Sequence, residues 1–424
     1  MSSKEYDLIV LGANGYTGKN VVEYISTHLP TDLKWAVAGR THSKLASLVD
    51  ELKPLNRDRV LPGIEVVKLK PNELHALVKK AKVLINTVGP YHLHGTPVVE
   101  ACANNGTHYL DVTGESPWVL DIIRKYHETA KQNHAIIIPM IGIESAPPDL
   151  LSFALVTLIR SQYSTGVREI TSVLHKMKSS PSGGTLSTAL TILDSYSLPQ
   201  IAKANSGDWS SSPVPHPKSP SRPLPAHRRG VFRKNFGVRR IPHLGTCTTS
   251  VAAGANTMTV QRTWGLLDKG QFYGPNFQYR DYAVVRNAFV GAIIHLSLAI
   301  GILALAIPPL RWLAKKLVPL APGQGAARDV AKKDIIEFRA VATVDEDMEK
   351  PRKAFGRLRF EGGMYYLTGV FLAEAAMVLL KEEKLVEELD GGLLTPAMLG
   401  QAFIERMTKA GVVLELEILP EGAE

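Results

Sequence analysis

Between Tyr6 and Pro139 short apolar runs alternate with amphipathic stretches, and that alternation constrains the chain more than any other feature. YDLIVL (6–11), KWAVA (34–38), 64–68, VLINT (83–87), 108–111 and AIIIP (135–139) read as strands. Helices are expected over 19–28, 43–52, 73–80, 97–105 and 116–132. The connections are short, so successive strands run parallel and helices cover both faces of the sheet.

The turn after the first strand is Gly12-Ala13-Asn14-Gly15-Tyr16-Thr17-Gly18. Gly12 permits the sharp turn, Gly15 removes a Cβ from the path of a pyrophosphate, and Gly18 lets the helix approach the strand. Free N–H groups at the helix start, with its dipole, receive the negative charge. A glycine pattern alone is weak, because a plain tight turn looks the same. Its place in a strand–turn–helix that opens a βα series makes it a dinucleotide site on a Rossmann-type sheet. The second strand ends Ala38-Gly39-Arg40-Thr41, with no acid to hold a ribose 2′-hydroxyl. Arg40 can pair with a 2′-phosphate, and Thr41 or Ser43 can hydrogen-bond it, which points to NADP(H) over NAD(H). The alternative is a solvated surface arginine.

Asn86-Thr87-Val88-Gly89-Pro90-Tyr91 ends a central strand, at the edge where open parallel sheets hold ligands. Asn86, Thr87, Gly89 and Pro90 are expected along the cofactor cleft. Tyr91 either donates a proton or packs against the cofactor. Asp111 and Glu115 follow another strand; each is an acid–base candidate or a cap for the next helix. Asp149, after Pro147-Pro148, is read as a cap for a helix over 150–160. His92 and His94 lack companions at metal-ligand spacing, so no metal site is expected.

At 424 residues the chain exceeds one hydrophobic core, and two domains are expected. Residues 1–147 form the nucleotide domain. Residues 148–361 form an α+β domain, and 362–424 bring C-terminal helices back to the first domain. The net charge of +9 is local: nine Lys or Arg and one acid lie between Lys203 and Arg240. It implies an anionic surface beside the insertion 203–243, not a nucleic-acid partner. Six prolines and six serines within 205–225 suggest an exposed, mobile loop. Two cysteines, with no secretory leader, fit an intracellular protein.

Asn287–Leu310 carries no charged residue and is flanked by Arg286, Arg311, Lys315 and Lys316. Three readings stand: a full membrane span, a buried or oligomer-forming helix, and an insertion into one leaflet or a lipid-droplet monolayer. The Pro308-Pro309 break and the glycines at 291 and 301 suit a bent insertion. The expected location is the cytoplasmic face of such a surface.

Taken together, GANGYTG (12–18), AGR (38–40), NTVGPY (86–91), YLDVTGE (109–115), GIESAPPD (142–149), SGGT (182–185), APGQGA (321–326) and GGLLTPA (391–397) resemble the saccharopine dehydrogenase-like oxidoreductases. The resemblance is to the branch of trans-acting enoyl reductases and lipid-droplet-associated oxidoreductases. It implies a Rossmann domain, a second α+β domain for substrate and dimerisation, and a nicotinamide cofactor, usually NADP(H). The expected activity is hydride transfer to a lipophilic enoyl or imine group. The rival readings are a catalytically silent membrane or lipid-droplet scaffold and an amino-acid, saccharopine-type reductase. GIESAPPD departs from the more familiar GFDSIPSD, at a place where substrate would be contacted.

Overall fold

The computed structural model describes residues 4–177, 183–217, 236–317 and 334–422. The strands of the first part are β1 (Tyr6–Leu11), β2 (Trp35–Gly39), β3 (Gly63–Val66), β4 (Ala81–Asn86), β5 (His108–Asp111) and β6 (Ile136–Ile138). Its helices are α1 (Tyr16–His28), α2 (His42–Leu52), α3 (Pro71–Lys79), α4 (Tyr91–His94), α5 (Thr96–Asn105) and α6 (Ser116–Gln132). Further along come β7 (Val167–Met177), β8 (Arg239–Ile241), β9 (Gly245–Thr249), β10 (Gln278–Val284), β11 (Ile335–Val344), β12 (Lys353–Glu361), β13 (Gly392–Leu393) and β14 (Val413–Ile418). The helices there are α7 (Ala146–Tyr163), α8 (Gly183–Ser195), α9 (Leu198–Ala204), α10 (Ala253–Leu266), α11 (Ala288–Ala306), α12 (Pro308–Leu317), α13 (Met364–Lys381), α14 (Glu383–Leu389) and α15 (Gly400–Lys409).

One sheet has the order β13-β6-β5-β4-β1-β2-β3, with every pairing parallel. Apolar runs such as Leu8–Leu11 and Val83–Ile85 are fully or almost fully buried because helices lie on both faces. The second sheet, β14-β12-β11-β7-β10-β9-β8, is mixed: β7 and β10 are parallel and its other pairings antiparallel.

The C-terminal stretch from Met364 to Ile418 locks both sheets together. β13 extends the parallel sheet beside β6, and β14 closes the edge of the mixed sheet beside β12. α13 lies against α1 at glycine distance: a Cβ on Gly369 would come 3.0 Å from the Asn20 backbone. Tyr24 donates to Glu374 at 2.8 Å, and Arg406 holds its other oxygen at 2.7 Å. A continuous apolar core runs from Val10 through Leu150 and Phe338 to Phe371.

As far as residue 217 the 205–225 segment is largely exposed, but it is pinned to the body at two points. Ser211 is buried and donates to the Met258 carbonyl, and Trp209 stacks on His216 with ring centroids 3.8 Å apart. Most of the basic insertion beyond 217, Ser182 and the APGQGA segment lie outside the described residues.

α11 is the apolar segment, and this chain does not bury it. Among its residues only Gly291 is buried, whereas Phe289, Ile300, Ile302 and Leu303 are exposed. Its first turns dock on β9, where Thr248 donates to the Gly291 carbonyl at 2.8 Å and Thr249 meets His295 Nδ1 at 2.8 Å. The chain leaves the mixed sheet after β10 and re-enters at β11. Ala283 pairs with Leu174 and Ile336 with Met177, so exit and return lie at one end of one sheet. A single crossing of a membrane would separate those two points.

Candidate active site

The carboxyl ends of β1, β2, β4, β5 and β6 form one edge, and the residues singled out in the first domain gather there. Gly12 holds φ at +83°, where side chains are disfavoured. A Cβ on it would lie 2.8 Å from Thr87 Oγ1 and Val88 Cγ2. At Gly18 a Cβ would stand 2.3 Å from the Gly12 carbonyl oxygen. The loop can therefore fold down onto the strand and bring its backbone to the edge. Gly15 is the N-cap of α1, with no side-chain cap bond and no acid in the first turn. The helix start presents unspent N–H groups and positive dipole, which is what a pyrophosphate needs. Thr17 lies in that first turn. Asn14 donates to the Lys44 carbonyl at 2.7 Å, tying the loop to α2, and the Tyr16 ring packs edge-on against Tyr365 of α13 at 4.8 Å.

Arg40 follows β2, is exposed, and makes no hydrogen bond or ion pair among the described residues. Thr41 is the N-cap of α2, again with no side-chain cap bond. Partial desolvation and then the charge of Arg40 lower the His94 pKa, so this corner is electropositive. These residues fit a dinucleotide with a 2′-phosphate: a side-chain-free cradle at β1 and an uncommitted guanidinium at β2.

On the other side of β1, Asn86 is wholly buried. It donates to Tyr109 Oη at 3.1 Å and accepts from the Val88 N–H at 3.0 Å. Thr87 donates to the Leu11 carbonyl at 2.9 Å. These two side chains shape the β4 turn that leads through Gly89 and a cis Pro90 to Tyr91. The Tyr91 hydroxyl is buried and donates to the Asn86 carbonyl at 3.0 Å; burial first, then Asp111, push its pKa well up.

The acids of the edge act differently from the caps expected for them. Glu115 does not cap α6. It accepts from the Tyr91 and His92 N–H groups at 2.8 and 2.6 Å and so caps α4, two helices back in the chain. It also meets His92 Nδ1 at 2.6 Å and accepts from Thr188 of α8 at 3.3 Å. Asp111 accepts from Tyr109 Oη and the N–H groups of Thr113 and Met140, and burial raises its carboxyl to about 7. Asp149 lies inside the first turn of α7, and its side chain is committed to other elements. It accepts from Thr263 at 2.6 Å and from the Ala397 N–H at 2.8 Å.

One residue of this edge escaped the sequence reading. Glu144, in the loop between β6 and α7, is exposed, and its carboxyl lies so close over Gly114 that a Cβ there would be 2.5 Å from Oε2. The signal was available: an acid a few residues after a strand that ends at the ligand edge.

Residues 8–138 match the family described as saccharopine dehydrogenase NADP binding domain. A protein of Mycobacterium tuberculosis provisionally named a trans-acting enoyl reductase is 28% identical over 426 residues, covering 97% of each chain. A trans-acting enoyl reductase of Mycobacterium bovis is 27% identical, covering 97% of this chain and 98% of its own. Among solved structures, the saccharopine dehydrogenase (L-Glu forming) of Saccharomyces cerevisiae superposes with a TM-score of 0.54 at 12% identity, over 98% of this chain and 100% of that one. With a glycine cradle at β1, an exposed arginine after β2 and this similarity across its length, the chain carries a saccharopine dehydrogenase-type NADP-binding domain and is an NADP(H)-dependent oxidoreductase.

Proposed function

We propose that this protein reduces an unsaturated lipophilic substrate, an enoyl C=C before an imine, while resting on the cytoplasmic face of a membrane or lipid droplet. The observation that carries the reading is one chain holding both an NADP(H) edge and an exposed apolar helix, α11. A water-soluble substrate gains nothing from such a helix. The name borne by the relatives supports the enoyl group in particular.

Bound NADPH supplies the hydride. The chain's own part is to hold it: Gly12, Gly15, Thr17 and Gly18 around the pyrophosphate, Arg40 and Thr41 at the 2′-phosphate, and Gly89 and Pro90 along the nicotinamide side. A charge-assisted contact from Arg40 is worth ~1.5–3 kcal/mol, roughly ten- to a hundredfold in affinity.

α11 and α12 support the surface reading. Nineteen residues of helix reach ~28 Å at 1.5 Å per residue. Trp312 and Lys316 on α12 suit the boundary of headgroups and acyl chains. Exit and return at one end of the mixed sheet favour insertion into one leaflet. The amphipathic α12 would lie along the surface, and a second copy covering α11 is the competing arrangement.

The test titrates NADPH and NADH against wild type and Arg40→Ala by nicotinamide fluorescence, then adds a long-chain trans-enoyl thioester in vesicles of anionic phospholipid. We expect NADPH to bind at least tenfold more tightly than NADH, Arg40→Ala to remove that gap, and NADPH to be consumed with the vesicles. Tight NADPH binding without turnover of any lipophilic acceptor would favour the scaffold. Turnover of a soluble amino-acid adduct instead would favour the saccharopine-type reaction.

A further inference from the structure

Reduction of a C=C needs a proton as well as a hydride, and most acidic groups at the edge are spent. The Tyr91 proton is given to the Asn86 carbonyl. Asp111 takes three hydrogen bonds and is sealed from solvent. Glu115 takes four, and the side chain of His92 is wholly covered. Glu144 differs on both counts. Its side chain reaches solvent, and among the described residues it makes no hydrogen bond or ion pair.

Glu144 also stands at the right place along the sheet edge. With Arg40 at β2 and the phosphate cradle at β1, the dinucleotide crosses the edge away from β2, so its reactive ring comes to rest over β4 and β5. β6 lies three strands from β1, ~14 Å at ~4.8 Å per strand. A substrate stacked beyond the ring therefore lies over β5 and β6. Gly114 ends the β5 side of that position with no side chain, and the Glu144 carboxyl occupies the space a Cβ there would claim.

Building on the reductase reading above, we propose that Glu144 is the catalytic proton donor. Hydride adds to the β-carbon of the enoyl group, and the π-electron pair moves toward the carbonyl. The Glu144 O–H bond then breaks as a C–H bond forms at the α-carbon. The carboxylate left behind is reprotonated from solvent, which the residue reaches along its exposed side. Protein walls around the carboxyl raise its pKa above the ordinary value, which enlarges the protonated fraction near neutral pH.

The experiment compares wild type, Glu144→Gln and Glu144→Ala with NADPH and a long-chain trans-enoyl thioester, across pH, alongside NADPH affinity by fluorescence. General acid catalysis contributes on the order of 10²–10⁴-fold, and kcat should fall by that much in Glu144→Gln. KM and NADPH affinity should stay within threefold. Wild-type kcat should fall as pH rises through the carboxyl's pKa, because the acid must be protonated; that limb should vanish in Glu144→Gln. Added acetate should partly restore Glu144→Ala. An unchanged kcat and pH profile in Glu144→Gln, beside an active wild type, overturns the proposal and leaves the reductase reading intact. Loss of NADPH affinity in step with kcat also overturns it, by making Glu144 structural. A wild type that consumes no NADPH with any acceptor sinks the reductase reading itself.

Discussion

Gly18 carries no side chain because none fits. An added methyl would press on the backbone of Gly12 and Ala13 at 2.3–3.0 Å, and backbone cannot swing aside as a side-chain tip can. Gly18→Ala should therefore displace the phosphate loop, cut NADPH affinity at least tenfold and lower Tm. Gly301 is the control, since a Cβ there meets nothing within 4 Å and the residue lies in the exposed part of α11. Gly301→Ala should leave Tm unchanged or raise it, by up to ~1 kcal/mol in stability. Two readings of single residues went astray in one way. Glu115 and Asp149 were expected to cap the helices that follow them, because sequence offers only near neighbours as partners. The first caps α4, and the second bonds Thr263 and Ala397, far along the chain.

Among the elements, the strands and helices of the parallel sheet were the most legible, since buried parallel strands read as continuous apolar runs. β9 and α10 were not. GTCTT offers little apolar signal, and α10 buries Asn256, Gln261, Arg262 and Thr263. Burying such groups is tolerable only with partners in place. Arg262 has the Ser211 and Leu393 carbonyls, and Asn256 has Asp281. A helix that buries polar groups among its apolar ones shows no clean apolar period. α8 bridges the two working parts: Thr188 reaches Glu115, while Asp194 pairs with Arg311 and Lys315 of α12. α11 stands clear of the core, with Ile300 65% and Leu303 62% exposed. Ile300→Asp with Leu303→Asp should leave Tm within about 2 °C, because surface changes rarely exceed ~0.5 kcal/mol. Flotation with anionic vesicles should drop severalfold. Unchanged flotation would mean that α11 serves another surface, a second copy included.

Across the whole molecule, Asp149 is a keystone. It joins α7 to α10 and to the Pro396–Leu399 turn in a junction closed to solvent, and burial raises its carboxyl to about 7 from an ordinary 3.8. The folded state thus binds a proton that the unfolded chain releases near pH 4. Stability from this group falls as pH climbs from about 4 to about 7, then levels off. Asp281, raised by burial to about 6, acts in the same direction. Urea unfolding of wild type and Asp149→Asn between pH 4 and 8 isolates the effect. The stability of wild type relative to the variant should decline with rising pH inside that window and stay flat above it. A difference that does not move with pH would show that the carboxyl is ionised in the folded protein.

The sequence by itself determined the parallel sheet, the glycine loop after β1, the arginine where an acid would hold a ribose hydroxyl, and the apolar segment. Each is a local matter of period, turn chemistry or charge within a few residues. Tertiary structure alone decided which acids are spent and which stay free, because a hydrogen bond from Thr188 or Ala397 belongs to no local pattern. It also decided that one apolar helix, α13, lies in the core while α11 stays outside. Both are long and apolar enough to cross a membrane, and the less apolar of the two is the buried one; the partner each finds among the described residues, α1 for α13 and little beyond β9 for α11, separates them.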